Sequence, residues 1–123
     1  PFAADRIAKR AEKPVGFQKD VDEAIAAAIE AKKPFFLKFE TVWCGPCKTM
    51  NELVFTAQEV VDAATGVVCI KVDGDERKDL VEKHKVTGYP TGVLLNESNE
   101  EIARFLGYAS VKQTKELFSK VKK

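Results

Sequence analysis

The chain reads as an α/β protein: a central mixed β-sheet, with a parallel βαβ half and an antiparallel hairpin, flanked by helices on both faces. Three observations predict it. Two short, nearly unbroken apolar runs, PFFLKF (34–39) and VVCIKVD (67–73), suit strands covered on both sides, and helical patterns lie between them. TGVLLN (91–96) and EIARFL (101–106) flank the turn residues Glu97, Ser98, Asn99 and Glu100, the signature of a hairpin. Amphipathic segments precede the first apolar run and follow the last.

In chain order, residues 1–16 are mixed in charge, weakly periodic and closed by Pro14 and Gly16, so they predict an N-terminal extension, loosely structured, with one short turn or strand at most. The domain proper is assigned to residues 17–123. Asp20 to Lys33 carries Val21, Ala24, Ile25, Ala28 and Ile29 at helical spacing, with acids at its start and lysines at its end, as the helix dipole prefers; Pro34 ends it. After the first strand a helix is expected from about Cys44 to Val54 and a shorter one over Ala57–Ala64, stopped by Gly66. Asp75 to Lys85 predicts a helix with Leu80, Val81 and His84 on one side. Ser110 is a candidate cap for a last helix running to Lys123, with Val111, Thr114, Leu117, Phe118 and Val121 on its apolar side. No internal repeat or low-complexity tract interrupts this order.

Composition narrows the function classes. At 123 residues the chain suits a single domain that needs no disulfide staples, and 45% apolar with 32% charged residues is ordinary for a soluble globular protein. No apolar run approaches the roughly 18 residues of a membrane span. Twenty basic and nineteen acidic side chains nearly cancel. The one local excess, Lys120, Lys122 and Lys123, reads as the end of a helix, so neither nucleic acid nor a membrane is an expected partner. Three cysteines are too few for a disulfide scaffold and do not decide the redox compartment. The chain begins at Pro1 without an initiator methionine, which fits either an excised piece or a mature protein that has lost a targeting segment.

Two of those cysteines stand three positions apart in Val42-Trp43-Cys44-Gly45-Pro46-Cys47-Lys48, between an apolar strand and a helix. Such a pair can be a redox centre, half of a metal site or two inert packed thiols. A thiol attacks only as thiolate, and the positive end of a helix favours that anion, so Cys44 is the candidate nucleophile. Cys47, one turn on, can close a small disulfide ring or resolve a mixed disulfide. Gly45 lets a partner backbone approach, and Pro46 suits a first helical turn, where a missing N–H costs nothing. A metal site wants four ligands, and the remaining candidates, Cys69 in a strand and His84 on a helix, supply no second pair, so no metal and no organic cofactor is expected. Inert packing suits neither the intervening Gly-Pro nor the strand-to-helix junction.

The sequence resembles the thioredoxin family over nearly the whole chain after residue 16. Trp43-Cys44-Gly45-Pro46-Cys47-Lys48 matches that family's active-site motif, Val86-Thr87-Gly88-Tyr89-Pro90-Thr91 looks like its cis-proline loop, and Phe39, Asp73 and Gly107 have counterparts at about the expected spacing. The resemblance implies the thioredoxin fold and reversible thiol–disulfide exchange on protein disulfides. In that chemistry Cys44 attacks, Cys47 resolves, Pro90 and Thr91 present backbone groups to a bound peptide, and Trp43 and Tyr89 flank the groove. It implies a monomer working with a reductase or oxidase partner.

The departures from the family are informative. Where the family places a buried acid, six residues before the first cysteine, this chain has Lys38; where a lysine often approaches that acid, four residues before Asp73, it has Cys69. Alternation puts Lys38 and Glu40 on one face, so their charges are expected to pair, with Glu40 free to inherit the proton-acceptor role. A cation beside the dithiol would favour thiolate and make the protein more oxidising; a Lys38 that snorkels outward would tune little. Cys69 reads as a packed strand thiol and His84 as a helix-end residue. Thr41 and Val42 replace more typical groove residues. Asp20–Phe39 and Asn51–Ala64 look more like bacterial thioredoxin-like domains of exported redox pathways, an extracytoplasmic setting, than like the cytosolic housekeeping protein. The competing function class is a binding module, in which the fold and CxxC dock a partner or hold a metal between chains.

Overall fold

The computed structural model describes residues 1–121. Its elements are α1 (Ala3–Ile7), α2 (Val21–Glu30), β1 (Phe35–Glu40), α3 (Gly45–Leu53), α4 (Gln58–Ala63), β2 (Val68–Asp73), α5 (Lys78–Lys83), β3 (Thr91–Leu95), β4 (Glu101–Leu106) and α6 (Val111–Phe118). The four strands form one sheet in the order β2-β1-β3-β4. β1 runs parallel to β2 and antiparallel to β3, and β3 pairs antiparallel with β4.

The continuous apolar character of β1 follows from burial on both sides. Phe35, Leu37 and Phe39 pack with α2, α5 and the matching face of β3, whereas Phe36 packs with Met50, Val54 and Phe55 after β1 and with Leu117 and Phe118 of α6. Lys38 lies on the Phe36 face by alternation and is buried with it. The helices start where their caps dictate. Asp20 accepts a hydrogen bond from the Glu23 backbone N–H, and Ser110 forms a reciprocal capping box with Gln113. α6 closes at Phe118, earlier than the periodicity predicts; Lys122 and Lys123 lie outside the described residues.

Residues 1–16 are not a loose lead-in. The Asp5 carboxylate is buried and accepts from the Tyr108 hydroxyl (2.6 Å) and from the Val111 backbone N–H (3.0 Å), the first residue of α6. The Arg10 guanidinium donates to the carbonyls of Glu52 (3.2 Å) and Leu53 (2.8 Å), which end α3, and to Thr56 Oγ1. An anion thus meets one helix N-terminus and a cation another's C-terminus, where each satisfies unpaired backbone groups. Main-chain bonds from Ala11 to Thr56 and from Val15 to Phe55 complete the strap.

Candidate active site

β1 ends at Glu40, and the chain crosses four residues to enter α3. Cys44 takes an extended conformation at the N-cap of α3, and its sulfur accepts a hydrogen bond from the Cys47 backbone N–H at 3.2 Å. Pro46 sits in the first turn, where no donor is lost. Cys44 and Cys47 are joined as a disulfide with their Cα atoms 5.3 Å apart. Both sulfur-bearing residues are buried, while Gly45, Pro46 and Lys48 are exposed. The arrangement places a sulfur where unpaired N–H groups and the positive end of a helix favour an anion.

The antiparallel register sets Thr91 opposite Phe39, which brings the cis Tyr89–Pro90 peptide to the end of β1 from which the cysteine loop departs. Thr91 Oγ1 donates to the Gly88 carbonyl (2.7 Å), and the Gly107 N–H donates to the Pro90 carbonyl (2.8 Å). Trp43 stands edge-on to Tyr89 with ring centroids 5.9 Å apart, and its indole N–H donates to Asp75 at 2.9 Å. Asp75 is itself held by its backbone N–H to the Asp73 carboxylate. A Cβ on Gly74 would fall on the hydroxyl end of the Tyr89 ring, so this glycine leaves room for that ring. Burial, with the nearby charges of Asp75 and Asp73, raises the Tyr89 phenol above its ordinary pKa. Val42 (75%) and Trp43 (66%) in the loop after β1 and Leu106 (64%) at the end of β4 expose apolar surface, and Leu106 lies beside Gly88.

Asn51, four residues after Cys47 on α3, joins a polar cluster in an apolar setting. Lys38 is fully buried; its ammonium forms an ion pair with Glu40, donates to Asn51 Oδ1 at 2.7 Å and lies 5.4 Å from the centre of the Phe55 ring. The Asn51 amide also donates to Glu40, at 3.3 Å. Lys38 therefore does not snorkel outward. Burial pulls its pKa below the ordinary lysine value, the Glu40 partnership opposes that, and Lys71 on the neighbouring strand adds to the lowering. Glu40 is partly open to an outer cleft of about 640 Å3 that Thr41, Lys71 and Asp73 also line. A separate cavity of about 560 Å3 lies at the start of β1, the opposite end of the strand from the cysteines.

Cys69 is paired across the sheet with Phe36, whereas Lys71 is the partner of Lys38. Its thiol is buried and pushed up to about 12 by desolvation, the condition of an inert packed cysteine. His84 ends α5 against Phe39, with centroids 5.9 Å apart, on the face of the sheet away from Lys38. Among the described residues no group of three or more His, Cys, Asp or Glu side chains could hold a metal ion, and no helix is long and apolar enough to cross a membrane. Sequence reasoning missed Asn51, Asp75 and Gly74. Asn51 had a readable signal, being a polar residue four positions after Cys47 and hence on the same helix face.

A family model described as Thioredoxin-like matches residues 16–97. Thioredoxin-1 of Drosophila melanogaster is 34% identical over 103 residues, which are 84% of this chain and 92% of the fly protein. Two longer relatives align over one part only. Protein disulfide isomerase-like 2-2 of Oryza sativa is 34% identical over 57% of this chain and 19% of its own length. Thiol:disulfide interchange protein DsbD of Ralstonia nicotianae is 31% identical over 72% and 16%. Among solved structures, the germline-specific thioredoxin Deadhead of D. melanogaster superposes with a TM-score of 0.65 at 33% identity, covering 81% of this chain and 90% of that one.

Proposed function

For a chain that belongs to the thioredoxin-like family and carries a CxxC thiol–disulfide oxidoreductase pair, we propose exchange of protein disulfides through Cys44 as nucleophile and Cys47 as resolving thiol. The observation that supports these roles best is the position of Cys44 at the N-cap of α3, its sulfur already accepting the Cys47 N–H. The Cys44 thiolate attacks one sulfur of a substrate disulfide, an S–S bond forms to Cys44, and the other substrate sulfur leaves as thiolate. Cys47, giving up its proton, then attacks Cys44 Sγ and releases the second substrate sulfur. Two electrons pass to the substrate and Cys44–Cys47 becomes the disulfide; the same steps reversed oxidise a dithiol.

The apolar rim of Val42, Trp43 and Leu106 and the wall formed by Tyr89, Pro90 and Thr91 favour an extended polypeptide as substrate, met by a monomer. A separate electron donor or acceptor protein restores the starting state. Likeness to the thiol:disulfide interchange protein of Ralstonia supports a bacterial thiol–disulfide exchange pathway. Reduction of insulin with dithiothreitol as electron source tests the chemistry. Cys44→Ser should abolish turnover, and Cys47→Ser should accumulate a mixed disulfide on Cys44. Undiminished turnover in the Cys44 variant would refute the assignment.

A further inference from the structure

We propose that Met50 is a positioning residue for disulfide exchange: by accepting the Ala109 N–H, its thioether sulfur fixes the separation between the helix that carries Cys44 and Cys47 and the Pro90 side of the groove. The inference rests on the reading of Tyr89, Pro90 and Thr91 as a wall met by a polypeptide substrate. Met50 itself touches no substrate.

Met50 lies in α3, three residues after Cys47, and is fully buried in the cluster that holds Val54, Leu117 and Phe118. Its Sδ accepts a hydrogen bond from the Ala109 backbone N–H at 3.5 Å, across 59 positions of sequence. Ala109 is 2% exposed, so its N–H has no bulk water to turn to, and a buried main-chain donor needs a partner. A thioether is a weak acceptor, but an apolar side chain of the same shape offers none.

The neighbouring donors show what this bond joins. Gly107 donates to the Pro90 carbonyl (2.8 Å), Ala109 to Met50 of α3, Ser110 to Gln113 Oε1 (2.9 Å) within its capping box, and Val111 to the Asp5 carboxylate (3.0 Å). The first two bear on the groove. They are two residues apart, so the chain between them spans at most about 7 Å. Gly107 takes a left-handed φ of 82°, open to glycine at no steric cost, and so turns the chain off the line of β4 between the two contacts. A short bridge therefore runs from the Pro90 carbonyl through Gly107, Tyr108 and Ala109 to α3. Asp5 holds the Tyr108 hydroxyl and the start of α6 instead, so its loss leaves both bridge bonds in place.

Exchange requires a substrate sulfur, held along the Pro90 wall, to meet Cys44 Sγ, and such steps slow steeply when the reacting groups are misplaced by about 1 Å. Without the acceptor, Ala109 and with it the Pro90 side shift relative to α3. A polypeptide lying on both walls feels that shift. A small disulfide that meets only the sulfur does not.

Met50 is the one methionine among the 123 residues, so biosynthetic replacement of methionine by norleucine or selenomethionine alters no other side chain of the chain. Norleucine keeps the shape and loses the acceptor; selenomethionine keeps both. Met50→Leu is a second acceptor-free variant of similar volume. The test compares second-order rate constants for oxidation of the reduced proteins at pH 7 by insulin and by 2-hydroxyethyl disulfide. The norleucine protein and Met50→Leu should react with insulin about tenfold more slowly than the parent, and with the small disulfide at a rate within about twofold. Selenomethionine should match the parent with both oxidants, and hydrogen exchange at the Ala109 amide should quicken severalfold in the norleucine protein. Equal rates in variants and parent, parallel losses with both oxidants, or unchanged exchange at Ala109 would each overturn the proposal, because a packing role alone produces no selective loss. Should the norleucine protein fail to fold, Met50→Leu decides by the same ratio of rates. If the parent reacts with neither oxidant, the redox reading fails and this inference falls with it; if the parent reacts with both and the variants match it, only this inference fails.

Discussion

Replacing Asp5 by alanine should destabilise this protein far more than a substitution in its first few residues ordinarily would. The carboxylate is almost fully buried and serves two donors, the Tyr108 hydroxyl at 2.6 Å and the Val111 N–H at 3.0 Å. A hydrogen bond to a charged group contributes about 1.5–3 kcal/mol, and a carboxylate at a helix N-terminus adds about 0.3–1 kcal/mol. Tyr108 is only half-buried and recovers part of its loss by binding water, whereas Val111 is buried and does not. The expected cost is therefore about 2–4 kcal/mol, or a Tm lower by roughly 8–15 °C for a domain of this size. Asp5→Asn keeps one acceptor oxygen and should fall by about half as much. Thermal unfolding followed by circular dichroism reads both, and insulin reduction at 25 °C should be unchanged, because the Asp5 carboxylate meets Tyr108 and the start of α6, not the cysteine-bearing turn of α3. A Tm within about 2 °C of the parent for both variants would refute the reasoning and return residues 1–16 to the status of a loose extension. The same contact has a signature at high pH. Burial, then the bond to Asp5, raises the Tyr108 phenol above its unfolded value of about 10, so this contribution is complete below pH 10 and is lost as pH rises beyond it.

His84 supplies the acid-side counterpart. Burial, and next the charge of Lys83, holds its imidazole below the ordinary value, so the unfolded chain takes up the proton first as pH falls. The stability it confers is present above about pH 6.5 and declines below it; urea midpoints at pH 7.5 and pH 5 should converge for His84→Gln relative to the parent, and parallel losses in the two proteins would contradict this. Gly74→Ala should push the Tyr89 ring out of its contact with Trp43 and raise the KM for insulin severalfold at nearly unchanged kcat, whereas an unaltered KM would mean that this wall does not meet the substrate.

Much of the site was legible because its chemistry depends on local spacing. Cys44, Gly45, Pro46 and Cys47 occupy a strand-to-helix junction, and cap geometry at such a junction is governed by residues adjacent in sequence. The hairpin of β3 and β4 and the parallel partnership of β1 with β2 followed from apolar runs of strand length bounded by turn residues. Asn51 and Asp75 escaped notice because each meets its partner across an element boundary: Asn51 reaches from a helix to β1, and Asp75 reaches from the turn after β2 to Trp43. A short polar side chain in a pattern carries no mark of which remote group it will serve.

The deepest divide concerns charge. Alternation along β1 by itself determined that Lys38 and Glu40 share a face, and helical spacing determined that Cys47 and Asn51 share another. Only the tertiary structure decided that those two faces meet, that Lys38 is sealed beneath Phe55 instead of reaching solvent, and that Asp5 closes on Tyr108 and Val111 more than a hundred residues away. The reason is physical. Periodicity records which side chains leave water together, a local property of the backbone, but the cost of burying a charge depends on what is packed around it, and that exists only once distant segments have closed on one another.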